Sequence, residues 1–590
     1  MGTQRATTPD EGWVFVAKLE DLREKRIVVV TAGRARVAVV ADADRVFAVD
    51  NRCPHMGFPL DRGSVEDGIL TCHWHQARFD LASGCTFDLF ADDVATHDTK
   101  VEEGVVYVST RARRERDAAY HEERLRRGIE QNVPLVQAKS LLGLLEVDAF
   151  DRVVAETGRY AAQNITGFSE GMVRLTCVAN LRDSLSLETK YQALFYAVRR
   201  IAEEASGSVP RRKRDALDTD QHDLVTLRRW LSQWVRTRHA DATERTLLTA
   251  LEHLGSDALA DLLYGAAAER LFANTGHLFD FSNKALELSR YLGPDGARSL
   301  LPLLTLSLTR VRGEEENTSW HHPVELVEPL RSLEDELPTL LAGDGNASEF
   351  DDAELVDVLL GDDPMAILGA LRDALADAAA PERLAARVAY CAALRMARFA
   401  TSNEVTDWFN VQHTLNFTAA VHRAVQRCPS PKVVRAIFHG AIAVYMDRFL
   451  NVPPARLPAE RSGADALPTD APELLHALLE TLDQRSKLDA APALVSKYLR
   501  GGHSFAGLID TLTLATVRED VDFHSLQNLE AAVSLCSAFK GGLEVEHIMV
   551  GVVRGLAAQC PTRRAGQQTA RIALRLHRGD SVYEEGARPE

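Results

Sequence analysis

The spacing of apolar residues changes near residue 112, and that change calls for two kinds of structure in one chain. Before it, short β-branched runs at 27–30 and 37–40, an alternating run at 45–49 and a closing run at 105–108 are separated by turn residues at Ala32-Gly33, Asp42 to Asp44 and Glu103-Gly104. Several short strands with frequent turns predict a small all-β domain over residues 13–112. Beyond Arg116 the chain is rich in Ala, Leu, Arg and Glu, with apolar residues three and four apart, as in 224–235, 247–263, 366–379 and 386–399. That period predicts a large all-α domain over 119–578. Its candidate breaks into two sub-bundles fall near 343–355 or 453–472, and residues 1–12 and 579–590 read as polar tails. Two or more domains suit a chain of 590 residues.

A net charge of −17 argues against nucleic acid or an anionic membrane as partner. No stretch approaches the ~20 apolar residues of a membrane span, and the N-terminus has no apolar signal-peptide core. The expectation is a cytoplasmic protein. Its eight cysteines are sparse and, in a reducing compartment, not paired as disulfides.

The chemistry concentrates in two half-motifs. Cys53-Pro54-His55 is followed, sixteen residues later, by Cys72-His73-Trp74-His75. C-x-H and C-x-x-H together supply two thiolates and two imidazoles. A [2Fe-2S] centre of the Rieske type needs that set, with two Cys on one iron and two His on the other, and imidazole in place of thiolate raises its potential. Tetrahedral zinc takes the same residue types, but a zinc finger places a C-x-x-C pair first and its His pair later. The β-run leading into Cys53 and the sequence Phe79-Asp80-Leu81-Ala82-Ser83-Gly84 after the second half favour the cluster, with Cys53, His55, Cys72 and His75 as ligands.

On these residues the segment from Trp13 to about Val108 resembles Rieske ferredoxins and the Rieske domains of bacterial aromatic-ring dioxygenases. Gln76 stands where that family usually has Gly, and His73 where it has Pro. The respiratory type has a disulfide between the two ligand loops; Phe58 and Trp74 occupy those positions here. The resemblance implies that electrons pass through an exposed edge of the ligand imidazoles, with Met56, Pro59 and Trp74 around it. A ring-hydroxylating oxygenase would add a mixed α/β domain carrying a mononuclear iron, and the helical period after residue 112 does not fit that domain.

The helical region carries its own polar residues. His277 and Asp280 lie three apart, as do His322 and Glu325, the latter pair beside Pro323 at an expected helix start. Lys284 and Glu287 continue the first stripe, and His413 and His524 sit in further polar-aromatic phrases. Helix bundles build metal sites from inward His and carboxylate groups. His277, Asp280, His322, Glu325, His413 and His524 are therefore candidate ligands of a second metal, with iron the expected ion. The phrases at 276–287, 320–327, 413–424 and 518–532 resemble an uncharacterised bacterial helical domain that accompanies Rieske domains, and are faintly similar to questin-oxidase-like proteins. The expected function is an oxidoreductase of oxygenase type that passes single electrons from the cluster to a helical catalytic domain acting on a small organic substrate. The alternative is a non-catalytic electron-transfer or redox-sensing protein whose helices dock a partner. With no G-x-G-x-x-G between a strand and a helix, a separate NAD(P)H-dependent reductase or ferredoxin is the expected electron source.

Overall fold

The computed structural model describes residues 12–113, 117–342, 351–462, 466–539, 541–580 and 582. Residues 343–350 of the candidate break at 343–355 and most of both tails fall outside them; the rest of that segment begins the helix Asp352–Leu359. The small β domain followed by a large helical region is observed, and the chain is 61% helical.

Nine strands form the β domain: β1 (Trp13–Lys18), β2 (Ile27–Ala32), β3 (Ala35–Asp42), β4 (Arg45–Asp50), β5 (Ser64–Glu66), β6 (Ile69–Thr71), β7 (Arg78–Asp80), β8 (Thr96–Glu102) and β9 (Val105–Ala112). The six longer ones make an antiparallel sheet in the order β1-β9-β8-β4-β3-β2, and β5-β6-β7 make a second. Both faces of β3 are buried. Val37 and Val39 join Val16, Leu22, Val106 and Val108 on one face. Ala38 and Val40 join Phe47, Leu60, Leu70, Phe79, Cys53 and Cys72 on the other. A strand buried on both faces reads as the continuous apolar run that the sequence shows. The second of these cores reaches the ligand loops.

By compactness the chain divides into one unit ending at Phe150 and resumed from Gln568, and another spanning Asp151–Gln567. The change from strand to helix falls between Ala112 and Ala118, and the first compact unit includes helices beyond it. The helices Ala118–Glu130 and Pro134–Glu146, with the end of Gln567–His577, group with the β domain. Their side chains hold it: Arg124 donates to Asp92 at 2.6 Å and to the Ala91 carbonyl at 3.1 Å, and Arg52 reaches the Asp580 carbonyl at 2.8 Å.

Within the second unit, Glu170–Leu181, His277–Leu300, Trp408–Arg427 and Phe523–Cys536 form a four-helix core. Trp408–Arg427 and Glu170–Leu181 each pack against both of the other two. His277–Leu300 is two helices meeting at a kink, where Gly293 has φ 70° and Pro294 follows. No helix among the described residues is long and apolar enough to cross a membrane.

Candidate metal centres

Both halves of the N-terminal motif fold into the same turn. The Cys53 amide bonds the Phe58 carbonyl at 2.8 Å and the Gly57 amide bonds the Cys53 carbonyl at 2.8 Å. In the second loop, between β6 and β7, the Cys72 amide bonds the Ala77 carbonyl at 2.8 Å and the Gln76 amide bonds the Cys72 carbonyl at 3.0 Å. The fifth residue of each turn is left-handed, Gly57 with φ 82° and Gln76 with φ 60°. That is why the family's glycine position matters, and here Gln76 meets the demand at some backbone cost.

The two turns bring the four expected ligands together. The Cys53 and Cys72 thiols are buried and share a hydrogen bond, which raises the pKa of Cys53 and lowers that of Cys72 to about 6. The His55 and His75 rings lie edge to face, 4.8 Å between centroids. Burial, then His75, then Lys139 push the His55 pKa down to about 4, so its imidazole is neutral, as a ligand must be. Its Nδ1 is buried and has no hydrogen-bond partner. Two paired thiols and an orphaned imidazole nitrogen fit a [2Fe-2S] cluster. At the positions of the respiratory-type disulfide, the rings of Phe58 and Trp74 face each other instead, 6.0 Å between centroids. His75 is exposed, and the most exposed apolar side chains nearby are Phe87 and Leu89, with Phe90 stacked edge-on against His55 at 4.9 Å. Sequence reading missed these three, because their loop carries no motif.

The second centre lies in the four-helix core. His277, His413 and His524, one from each of three helices, place their ligand nitrogens within 4.8 Å of one another. His524 Nε2 is 2.9 Å from His413 Nε2 and 3.1 Å from His277 Nε2. A ring nitrogen holds either a proton or a lone pair, so His524 Nε2 can make only one of these two contacts a full hydrogen bond. His277 Nδ1 bonds Asp280 Oδ2 at 3.1 Å, and His524 Nδ1 lies 2.9 Å from Asp522 Oδ1. The carboxylate bonded to His277 Nδ1 keeps the proton there and turns that ring's Nε2 lone pair inward, whereas His524 Nδ1 is buried without a hydrogen-bond partner. Burial first, then His277 and His524, push the His413 pKa down to about 2. Three converging imidazole nitrogens in a largely buried pocket suit a divalent cation that keeps open coordination positions. Asp280 Oδ1 is buried without a partner, a further sign that the pocket takes a polar guest. Phe281, Phe409 and Phe523 wall the triad, with ring centroids 5.1 to 5.4 Å from a histidine.

Each histidine is held by its element. Asp522 caps Phe523–Cys536 by accepting the His524 amide at 2.9 Å. His277 opens its helix after a sharp turn in which Phe272, Asn274, Thr275 and Gly276 all have positive φ. A side chain on Gly276 would come within 2.9 Å of Phe417.

His322 and Glu325 do not join this cluster. Pro323 starts no helix; the next is Val327–Leu340. Glu325 caps it, accepting the Val327 amide at 2.8 Å, and pairs with His321 at 2.7 Å on the surface. The i,i+3 spacing at 322 and 325 therefore lies on a turn, where it aligns no common face.

Farther along the same helices a buried ionic cluster continues the stripe. Lys284 donates to Glu287 at 3.0 Å and also to Glu530, and Arg423 donates to Glu530 at 2.7 Å and also to Glu287. Asn180 donates to both carboxylates at 2.8 Å. Burial would raise the Glu287 pKa, but Lys284 and Arg423 outweigh it and hold the carboxyl well below its usual range.

Comparison with known proteins bears on the N-terminal domain. A family model described as the Rieske [2Fe-2S] domain matches residues 12–95. The ferredoxin component of the naphthalene 1,2-dioxygenase/salicylate 5-hydroxylase systems of Ralstonia sp is 30% identical over 95 residues, 16% of this chain and 89% of that protein. Human apoptosis-inducing factor 3 is 32% identical over 94 residues, 16% of each chain. Among solved structures, the ferredoxin of carbazole 1,9a-dioxygenase from Nocardioides aromaticivorans IC177 is 28% identical over 17% of this chain and 98% of that one, with a TM-score of 0.16.

Proposed function

The chain belongs to the Rieske [2Fe-2S] family through its N-terminal domain, and from that premise we propose that it is an oxidoreductase whose helical unit holds a second, catalytic metal at His277, His413 and His524. The observation that carries this reading is the meeting of three imidazole Nε2 atoms inside a four-helix core of a chain that also has an electron-transfer domain. The cluster, when bound, supplies one-electron transfer. A metal at the triad, expected to be iron, supplies Lewis acidity and open positions for small ligands.

The protein's own groups do the rest. Asp280 fixes the His277 imidazole, and Asp522 caps the helix that carries His524. Phe281, Phe409 and Phe523 exclude water from the triad. The reaction class is oxygenation of a small organic substrate by dioxygen. Hydroxylating one C–H bond consumes two electrons and two protons and returns one water, so a one-electron carrier must be loaded twice per turnover. A separate NAD(P)H-dependent reductase or ferredoxin is the proposed donor. The exposed His75, beside His55 and its neighbour Phe90, is a surface it can approach.

Metal and sulfide analysis of the purified holoprotein tests this. The expected result is a metal equivalent beyond the two irons of the cluster, lost in His413→Ala and in His524→Ala while the cluster absorbance stays. Iron at only two atoms per chain, with no other metal, would leave a purely electron-carrying or redox-sensing protein.

A further inference from the structure

A charge from outside the Rieske fold reaches the ligand loop. The family match ends at residue 95, and the helix Pro134–Glu146 lies beyond it. From that helix Lys139 extends to the first ligand loop, where its Nζ donates to the Pro54 carbonyl and, at 2.7 Å, to the His55 carbonyl. The ammonium is thus fixed on the backbone of two consecutive residues, one of them a ligand. It stands at the wall of a cavity of about 410 Å³ that also exposes Cys53, Pro54 and Gly57.

We infer that Lys139 is a positioning residue that raises the reduction potential of the cluster, by placing a fixed positive charge on the backbone of the first ligand loop. Reduction adds one electron, and so one negative charge, to the centre; no bond of the chain changes. A nearby cation stabilises the more negative state over the less negative one, and part-burial keeps solvent from screening it fully. The same contacts also hold the loop in place, so the two roles must be separated.

Redox titration of the full-length holoprotein separates them, with dithionite as reductant and the cluster followed by visible absorption. Lys139→Gln keeps a donor and removes the charge; Lys139→Arg keeps the charge; Lys139→Met removes both. The expected result is a lower potential for Lys139→Gln and Lys139→Met, with the reduction equilibrium displaced roughly tenfold toward the oxidised state, a factor that corresponds to about 59 mV for a one-electron couple. Lys139→Arg should stay close to the wild type. A wild-type potential in Lys139→Gln, or a fall in Lys139→Arg as large as in Lys139→Met, would overturn the inference. Iron and sulfide counts per chain verify that each variant carries its cluster; if Lys139→Met loses it, the Gln and Arg variants still decide the question.

Discussion

At the scale of single residues, Asp447 is a buried carboxyl whose protonation couples to folding. It is buried after the helix Pro431–Met446, and one of its carboxylate oxygens has no partner. Burial pushes its pKa up to about 7, against partial relief from Thr414 and Arg395. An unfolded aspartate titrates near ~3.9. The folded state therefore binds this proton more tightly than the unfolded one, and its contribution to stability falls as pH rises from about 4 to about 7, by a few kcal/mol in all. Asp447→Asn should remove that fall. Urea midpoints of the two proteins at about pH 5 and about pH 8 check it; parallel pH dependence in both would refute it. At the same scale, the sequence made the cluster ligands legible because each half-motif is local. It hid Lys139, because nothing in a helical lysine announces a carbonyl more than eighty residues away.

At the scale of elements, the four-helix core carries two polar tiers on shared helices. His277, Asp280, Lys284 and Glu287 lie on one stripe of a helix, so the triad and the ionic cluster are successive turns of the same face. Two cations and two carboxylates satisfy each other there. Removing one partner of such a buried set leaves an uncompensated charge and costs about 3–5 kcal/mol. Lys284→Met should therefore lower the denaturant midpoint of the helical signal. Adding Glu530→Leu should restore part of the loss, because Glu287 and Arg423 then remain as a neutral pair. A double variant less stable than the single one would show that packing, and not charge balance, holds this tier. The sequence stripe at 277–287 was readable for this reason, whereas 247–263, which reads as one helix, breaks at Leu254 and Gly255 into Ala240–His253 and Ser256–Ala267. Apolar period alone does not register a break that preserves the buried face.

At the scale of the whole molecule, the two compact units have separate cores. Cys53 and Cys72 belong to the core of the β domain. Losing the cluster should therefore leave the helical unit folded. Cys72→Ala is expected to abolish the cluster absorbance and its two irons while far-UV helicity and the metal at the histidine triad are retained. Collapse of the helical signal in that variant would show that the two units do not fold independently.

The sequence by itself determined the β-then-α order and the four residues proposed as cluster ligands. Periods of two and of 3.6 residues, and ligands two or three residues apart, are local properties of a chain. It also named His277, Asp280, His413 and His524, but among companions it could not separate. Which of them meet was decided by tertiary packing. Residues 277, 413 and 524 come together only because three helices share a core, while His322 and Glu325, equally well spaced, fall on a capped surface turn. Tertiary packing also set which helices group with the β domain, where Lys139 and Arg124 reach its loops, contacts that no local pattern encodes.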